Sequence, residues 1–406
     1  MNNHYDIIIV GAGPSGSTAA LYAEKLGLKT VLLDKTIFPR DKICGDALSG
    51  KSVRYMRELK ILDEVSKLKG SVIKRITFGS PSHKQFDINL SGFQNQGKIK
   101  EGFVIPRKIF DNFLFTKAKN ITETKEGFKV TNIIYENNQI IGIKGVKDKQ
   151  EEKFYAPIVL ACDGANSTIS RKLGLHSEDL VNTAIAIRCY YRGVKGLSDQ
   201  IELHFVDEVL PGYFWMFPAG DNIANIGIGL SKKEAKKDKR KLTQILDDVI
   251  QSDYFKDRFS ESEKLENPKG WSLPLGRIIR PSYGDGFMLL GDAAGLVDPF
   301  TGEGIGNAMA SAKYAIQVAN KAKAENNYSK NIFSKYHELL WNDIGSELKT
   351  SAKLQDLANY RVLLNLIINK AAKSEEIQNI ISGMLTNEIP KEKLSNPLFY
   401  LKILFS

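Results

Sequence analysis

The sequence has few cysteines, few histidines and no long apolar run. Its 406 residues include three cysteines and five histidines, with no Cys-x-x-Cys pair. Cys44, Cys162 and Cys189 are too few for a disulfide scaffold and are typical of a reducing compartment. The histidines are scattered, so we predict no metal site. Because the apolar run at residues 7–10 is too short to span a membrane and lacks the basic flank of a signal peptide, we predict a cytoplasmic protein.

Composition and charge narrow the class of partner. Hydrophobic residues make up 42% of the chain and charged residues 26%, which is typical of a globular protein, and the length suits two or three lobes. The formal net charge of +10 suits an anionic partner. We predict no nucleic-acid partner, because no helix-turn-helix, zinc-finger or RRM pattern accompanies the charge. An anionic membrane surface, a phosphorylated substrate or a surplus of surface lysine remain as explanations.

The pattern of apolar residues predicts a βαβ unit at the start of the chain. Residues 5–10 and 30–33 have the composition of buried strands, and residues 14–26 between them have a helical pattern closed by Gly27. Parallel strands joined in this way need a sheet that is covered on both faces. Further along, the pattern predicts strands at 72–78, 84–88, 158–162 and 287–290, a meander at 128–155, an antiparallel sheet at 183–230, and helices at 107–118, 232–250 (basic, capped by Ser231), 304–323 and within 331–373.

The turn after the first strand carries the pattern Gly-x-Gly-x-x-Gly. Gly11 permits a tight turn, Gly13 lets the backbone approach a pyrophosphate, and Gly16 allows the helix to pack closely on the strand. The phosphates would then lie at the positive N-terminus of the helix. Asp34 ends the second strand, where a carboxylate is positioned for ribose hydroxyls. The pattern therefore predicts a dinucleotide-binding fold, and by itself it does not choose between NAD and FAD.

Three later segments resemble the glutathione-reductase-type flavoproteins that include the aromatic hydroxylases. They are VIPRKIFDNFL at residues 104–114, VLACDGANSTISRKLG at 159–174 and GFMLLGDAAGLVDPFTGEGIGNAM at 286–309. The resemblance implies FAD, with Asp292 near the ribityl chain and a helix N-terminus near the flavin pyrimidine, where it would stabilise negative charge on reduced flavin. The cofactor-binding residues predicted by the pattern and the resemblance together are Gly11, Gly13, Pro14, Ser15, Gly16, Asp34, Lys35, Arg40, Cys44, Gly45, Arg107, Asp163, Gly164, Gly291, Asp292, Gly302, Gly304 and Ile305.

The same resemblance implies an α/β fold. It consists of a Rossmann-like FAD-binding domain, an antiparallel-sheet substrate domain like that of the aromatic hydroxylases, and a helical C-terminal region. We predict that the FAD-binding domain is assembled from residues 1–70, 101–175 and 276–325, the substrate domain from residues 71–100 and 176–275, and the C-terminal region from residues 326–406.

Two segments resemble the geranylgeranyl reductase family in particular. GYFWMFPAGDNIANIGIG at residues 212–229 is similar to its YxWxFP…GxG signature, and RDKICGDALS at residues 40–49 is similar to its Cys-Gly-Asp stretch. The resemblance implies a flavoprotein that reduces isolated carbon–carbon double bonds in polyprenyl chains, so the implied partner is a prenyl lipid or another apolar small molecule. On a strand, Tyr213, Trp215 and Phe217 would share one face and line an apolar substrate pocket. Ordinary core packing is the other explanation for this face.

The expected reaction adds a hydride from reduced flavin to one alkene carbon and a proton to the other. Tyr213 and Cys44 are the candidate catalytic proton donors, although a cysteine in such a place is as often a small buried hydrophobe. Because no second Gly-x-Gly-x-x-Gly is present to form a nicotinamide domain, the electron donor would bind transiently. NAD(P)H and a reduced protein such as ferredoxin both remain candidates.

Two other functions stay open from the sequence. An FAD-dependent monooxygenase would share the fold, although aromatic hydroxylases commonly read GDAAH where this chain has Gly295. A non-catalytic flavin-binding protein is the second alternative. Peripheral contact with a membrane surface is open as well, because the short apolar tail at residues 397–405 suits either a bilayer surface or the protein's own core.

Overall fold

A computed structural model describes residues 3–90, 102–137, 139–177, 179–374 and 377–378. The tail at residues 397–405, the final part of the predicted C-terminal region and residues 91–101 lie outside these described residues. In the described part of the chain, no helix is both long enough and apolar enough to cross a bilayer.

The described part of the chain contains the following strands and α-helices. The strands are β1 (Ile7–Val10), β2 (Thr30–Asp34), β3 (Ala47–Leu48), β4 (Ser71–Ile73), β5 (Arg75–Gly79), β6 (Gln85–Asn89), β7 (Gly102–Val104), β8 (Glu123–Glu126), β9 (Lys129–Glu136), β10 (Gln139–Lys147), β11 (Gln150–Tyr155), β12 (Ile158–Ala161), β13 (Thr183–Arg192), β14 (Gln200–His204), β15 (Tyr213–Pro218), β16 (Ile223–Ser231), β17 (Glu263–Lys264), β18 (Lys269–Pro274), β19 (Tyr283–Gly284) and β20 (Phe287–Leu289). The helices are α1 (Pro14–Lys25), α2 (Gly50–Glu58), α3 (Leu62–Val65), α4 (Arg107–Lys119), α5 (Thr168–Lys172), α6 (Lys232–Lys237), α7 (Leu242–Gln251), α8 (Lys256–Phe259), α9 (Ile305–Ala324), α10 (Lys330–Leu357) and α11 (Arg361–Ala371).

The first sheet confirms the predicted βαβ unit. Its strand order is β19-β20-β12-β1-β2-β8, and β1 pairs in parallel with both β2 and β12. Every residue of β1, β2 and β12 is buried, as expected of parallel strands covered on both faces. Helix α1 packs against α4 and α9, and the predicted meander forms the separate sheet β11-β10-β9. The carboxyl ends of β1, β2 and β12 therefore meet at one edge of this sheet.

The second sheet is antiparallel except at one pair of strands. Its order is β17-β13-β16-β15-β14-β5-β6, with β18 also paired to β13. The four strands predicted in residues 183–230 are confirmed as β13 to β16, but β14 runs parallel to β5. Antiparallel neighbours can be joined by a short hairpin, whereas parallel strands need a long connection. The chain between β5 and β14 is long and includes strands of the first sheet, so it permits parallel pairing. The strands β13 to β16 themselves pair antiparallel to one another, as predicted for residues 183–230.

The single basic helix predicted at residues 232–250 is two helices, α6 and α7. Ser231 does cap the first one, because its hydroxyl accepts a hydrogen bond from the Glu234 amide at 3.1 Å. Asp238 then adopts an extended conformation, and its carboxylate accepts a hydrogen bond from the Arg240 amide at 2.8 Å. Such local side-chain-to-backbone bonds compete with the helical ladder, so they explain the break.

The C-terminal helices cover both sheets. Helix α10 packs against α9 and β19, and α11 packs against β6 at the edge of the second sheet. Leu364 and Ile368 of α11 belong to the same apolar cluster as Phe78, Trp215 and Phe217. Helix α10 contributes Glu347 and Gln355 to the lining of the cavity described below. The division of the chain into domain segments stays a prediction.

Candidate functional site

A cavity of about 1050 Å³ extends from the carboxyl ends of β1, β2 and β12 to one face of the second sheet. Most of the predicted site residues line it: Gly11, Gly13, Pro14, Ser15, Asp34, Lys35, Arg40, Cys44, Gly45, Arg107, Asp163, Gly164, Tyr213, Trp215, Phe217, Asp292, Gly302, Gly304 and Ile305. Gly16 and Gly291 are not among the lining residues. The structure thus brings residues from distant parts of the chain to a single cavity.

The three glycines of the glycine loop have two different roles: two of them allow close packing, and the third leaves space for a ligand. Gly11 has φ +100°, and a Cβ there would overlap the carbonyl oxygen of Cys162. A Cβ on Gly16 would overlap the carbonyl oxygen of Gly11. Close backbone packing therefore requires glycine at both positions. At Gly13 a Cβ would meet only the Arg40 guanidinium, at 3.5 Å. Gly13 is therefore the position at which a ligand can approach the backbone, as a pyrophosphate requires.

A buried ion triad lies beside this loop. The Asp111 carboxylate accepts hydrogen bonds from Arg107 at 2.6 and 2.8 Å and from Arg40 at 2.7 Å. Burial alone would raise the pKa of Asp111, but the two guanidinium groups outweigh it and lower this pKa. Two cations share one carboxylate, so a net positive charge remains next to Gly13, which fits a pyrophosphate. Asp111 was not predicted as a site residue from the sequence, although its i,i+4 spacing from Arg107 on one helix was an available signal.

Two aspartates at strand ends behave differently. The Asp34 carboxylate accepts hydrogen bonds from the amides of Ala12 at 2.7 Å and Thr36 at 2.8 Å, so it holds the glycine loop. Asp163 Oδ2 accepts a hydrogen bond from the Thr168 amide at 2.6 Å. Asp163 Oδ1 is buried and has no hydrogen-bond partner among the described residues. A buried acceptor of this kind on a cavity wall fits a hydroxyl or N–H group of a bound ligand, and FAD offers both.

The aromatic face predicted on β15 exists, and the two glycines of the Gly-x-Gly pair make room for it. Trp215 lies opposite Gly227 in the sheet, and a Cβ on Gly227 would overlap the indole ring. Gly229 is also close, with its Cβ position 3.7 Å from the same ring. Trp215 therefore lies flat across β16, beside Tyr213 and Phe217, while Phe214 and Met216 pack into the core on the opposite face.

The side chains of Tyr213, Trp215 and Phe217 form an aromatic wall of the cavity. Asn225, which was not predicted as a site residue from the sequence, joins this wall to the Cys44–Asp46 loop. Its side-chain oxygen accepts a hydrogen bond from Trp215 Nε1 at 3.0 Å, and its amide donates to Cys44 O and Asp46 Oδ2, both at 2.7 Å. Burial raises the pKa of Asp46 to about 6, although hydrogen bonds from Tyr190 and Asn225 oppose the shift. A Cβ on Gly45 would lie 3.0 Å from the Phe217 ring. Hydrogen bonds through Asn225 and the contact between Gly45 and Phe217 thus hold the Cys44–Asp46 loop against the aromatic side chains.

Lys42 is a further missed residue of the cavity. Its ammonium lies 4.2 Å from the centre of the Trp271 ring. Burial lowers its pKa to about 8, while the nearby Asp292 carboxylate opposes the shift. It lies within the segment at residues 40–49, but a lysine that directly follows Arg40 and Asp41 carries no sequence signal for burial.

The two candidate proton donors lie in different surroundings. The Tyr213 hydroxyl donates a hydrogen bond to Thr301 O at 2.5 Å, and burial raises its pKa. A proton held in this way is released with difficulty, which favours a wall role for Tyr213. The Cys44 side chain lies close enough to Arg107 to help raise the pKa of that guanidinium, although burial acts in the opposite direction.

Substitution of Gly227 by alanine is expected to displace the Trp215 ring. The added methyl group would overlap both the indole and the carbonyl oxygen of Ile187 in the neighbouring strand, and such overpacking costs about 1–3 kcal/mol. We expect altered tryptophan fluorescence and near-UV circular dichroism, with FAD content retained. Gly270→Ala is the matched control, because its nearest contact is the Ile187 side chain at 3.3 Å. Unchanged spectra in Gly227→Ala would contradict the arrangement.

Comparison with known proteins agrees with this geometry. The family described as "FAD binding domain" matches residues 4–321. The digeranylgeranylglycerophospholipid reductase 2 of Methanococcoides burtonii is 32% identical over 361 residues, which cover 88% of this chain and 84% of that protein. The digeranylgeranylglycerophospholipid reductase of Methanococcus vannielii is 29% identical and is matched over 99% of this chain and 98% of its own length.

Solved structures show the same fold. A geranylgeranyl bacteriochlorophyll reductase-like protein from Thermoplasma acidophilum superposes with a TM-score of 0.83 at 25% identity, covering 97% of this chain and 98% of that protein. A flavin-dependent brominase superposes with a TM-score of 0.78 at 21% identity, a level at which the likeness shows the fold alone. The predicted fold class and the predicted FAD cofactor are confirmed.

Proposed function

We propose that this chain, which belongs to the FAD-binding-domain family, reduces carbon–carbon double bonds in the polyprenyl chains of a lipid. Within that family it belongs to the geranylgeranyl reductases, which are FAD-dependent oxidoreductases. The observation that carries the proposal is the continuity of the cavity. Loops that fit FAD and an apolar aromatic wall line the same space, and Asn225 joins the two by hydrogen bonds.

The chain's own residues account for binding and orientation. The glycine loop and the Arg40–Asp111–Arg107 triad would hold the pyrophosphate, and Asp163 and Asp292 would receive the hydroxyl groups of the cofactor. FAD, when bound and reduced, supplies the hydride. Tyr213, Trp215 and Phe217 would hold the prenyl chain against it and exclude water. Their ring faces can also stabilise positive charge as it develops on an unactivated alkene.

The proposal is tested by anaerobic turnover of the flavin. The FAD-loaded protein is reduced with dithionite and then mixed, without oxygen, with a geranylgeranyl lipid or with the fully saturated lipid of the same head group. We expect the unsaturated lipid alone to reoxidise the flavin, and mass spectrometry to show a gain of two hydrogens for each double bond reduced. No reoxidation by any prenyl lipid would overturn the proposal.

The same experiment separates the alternatives. A monooxygenase would require oxygen for turnover, whereas a double-bond reductase would not. A non-catalytic flavin-binding protein would keep its flavin reduced with every substrate. The proposal includes a transient electron donor, either NAD(P)H or a reduced protein such as ferredoxin. It also includes peripheral contact with the membrane that holds the lipid, for which the net charge of +10 is supporting evidence.

A further inference from the structure

A half-buried glutamate borders the cavity just before helix α9. Glu303 lies between Gly302 and Gly304, and it is one of the residues that line the cavity, together with Ser49 and Tyr213. Its Oε1 accepts hydrogen bonds from the Ser49 hydroxyl and, at 3.2 Å, from the Gly306 amide. Among the described residues, both hydrogen bonds to this carboxyl fall on Oε1. Oε2 is therefore available to carry a proton.

The charges around Glu303 favour its neutral form. Burial has the largest effect, and the nearby Glu347 and Asp298 carboxylates add to it, so the pKa of Glu303 is raised. Lys51 opposes the shift, but its ammonium is already paired with Glu347 at 2.7 Å and bonded to Asn307 Oδ1 at 2.6 Å. Three carboxyl groups and one ammonium thus lie close together at this side of the cavity, and their balance favours the protonated form of Glu303.

We propose that Glu303 is the catalytic proton donor of this cavity. The inference rests on the proposed function, because it assigns the proton that alkene reduction consumes. One alkene carbon accepts a hydride, with its two electrons, from reduced FAD. The π electrons form a C–H bond to the other carbon with the proton of Glu303 Oε2, which leaves a carboxylate. The Ser49 hydroxyl and the Gly306 amide stabilise that carboxylate, and solvent returns the proton before the next turnover.

Glu303 meets the requirements of a proton donor better than the two candidates predicted from the sequence, Tyr213 and Cys44. The Tyr213 hydroxyl already donates a hydrogen bond to Thr301 O, and Cys44 lies beside the Arg107 cation. Glu303 instead combines a raised pKa with a position on the chain next to the predicted flavin-binding residues Gly302, Gly304 and Ile305. A donor that is neutral at working pH and ionised after transfer is what general acid catalysis requires.

The test uses the FAD-loaded wild type, Glu303→Gln, Glu303→Asp and Glu58→Gln. Glu58 is the control, because it forms an ion pair with Lys313 at 2.9 Å outside the cavity lining. The first measurement needs no substrate: infrared spectroscopy of the oxidised proteins near neutral pH. We expect a protonated-carboxyl band in the wild type and in Glu58→Gln that is missing in Glu303→Gln. A wild-type spectrum without that band would overturn the inference.

The second measurement is the anaerobic rate at which a geranylgeranyl lipid reoxidises pre-reduced flavin. General acid catalysis contributes about 10²–10⁴-fold, so Glu303→Gln is expected to slow this rate at least about 100-fold while binding FAD normally. Glu303→Asp should recover part of the rate, and Glu58→Gln all of it. A wild-type rate in Glu303→Gln would overturn the proton-donor role. If the flavin of the wild type is not reoxidised, the proposed function fails and the proton-donor role fails with it. The infrared band separates the two premises, because it reports the protonated state of Glu303 without any substrate.

Discussion

Substitution of Gly11 by alanine is expected to yield a protein without FAD. The backbone at Gly11 has φ +100°, where an L-residue is strained by about 1–2 kcal/mol. The new methyl group would also overlap the backbone carbonyl of Cys162, which directly follows β12. Relief would require β1 and β12 to separate at the end that forms the cavity. Flavin absorbance per mole of purified protein measures the result.

Two further glycine variants make this expectation specific. Gly27→Ala is the matched control, because Gly27 has φ +65° but open space around its Cβ position, so it should keep its FAD at a cost of about 1 kcal/mol. Gly13→Ala should fold normally, since the nearest atom to its Cβ is 3.5 Å away. It should nevertheless bind FAD about tenfold or more weakly, because the methyl group would occupy the approach of the pyrophosphate. Full FAD content in Gly11→Ala would contradict the proposed cradle.

Substitution of Asp111 by asparagine is expected to cause the largest loss of folding stability. The Asp111 side chain has no exposed surface, and it is the shared partner of Arg40 and Arg107. Asparagine keeps the shape but leaves two guanidinium groups without a counter-charge, and breaking a buried pair costs about 3–5 kcal/mol. Urea denaturation of the FAD-free protein measures the loss. Glu64→Gln is the control, because its exposed pair with Lys117 on the same helix contributes about 0–1 kcal/mol.

The stability difference at Asp111 should depend on pH in a defined direction. The two arginines lower the folded-state pKa of Asp111, so its ionised form stabilises the protein above the unfolded-state pKa of about 3.9. This contribution is lost as the pH falls through the lowered folded-state pKa. The difference between the wild type and Asp111→Asn should therefore be constant at neutral pH and shrink below about pH 4. An unchanged difference in acid would mean that charge pairing is not its source.

The local elements of the fold were predictable because their signals are local. The order of strand, glycine loop, helix and strand in residues 5–34 follows from apolar periodicity and from the steric demands of glycine. The alternation of Tyr213, Trp215 and Phe217 likewise fixed which side chains share a face. The break between α6 and α7 was not predicted. A single aspartate that can form a competing hydrogen bond, as Asp238 does, is a weaker sequence signal than the helical pattern around it.

The sequence by itself determined the cofactor loop, the buried parallel strands and the aromatic face, since each depends on residues close together in the chain. Only the tertiary structure decided which distant groups meet. Asn225 bonds to Cys44, Arg40 reaches Asp111, β14 lies parallel to β5, and Glu303 lies against Ser49 with Lys51 and Glu347 nearby. Such encounters depend on how sheets and helices pack, and the charge state of a carboxyl group depends on the burial that this packing creates.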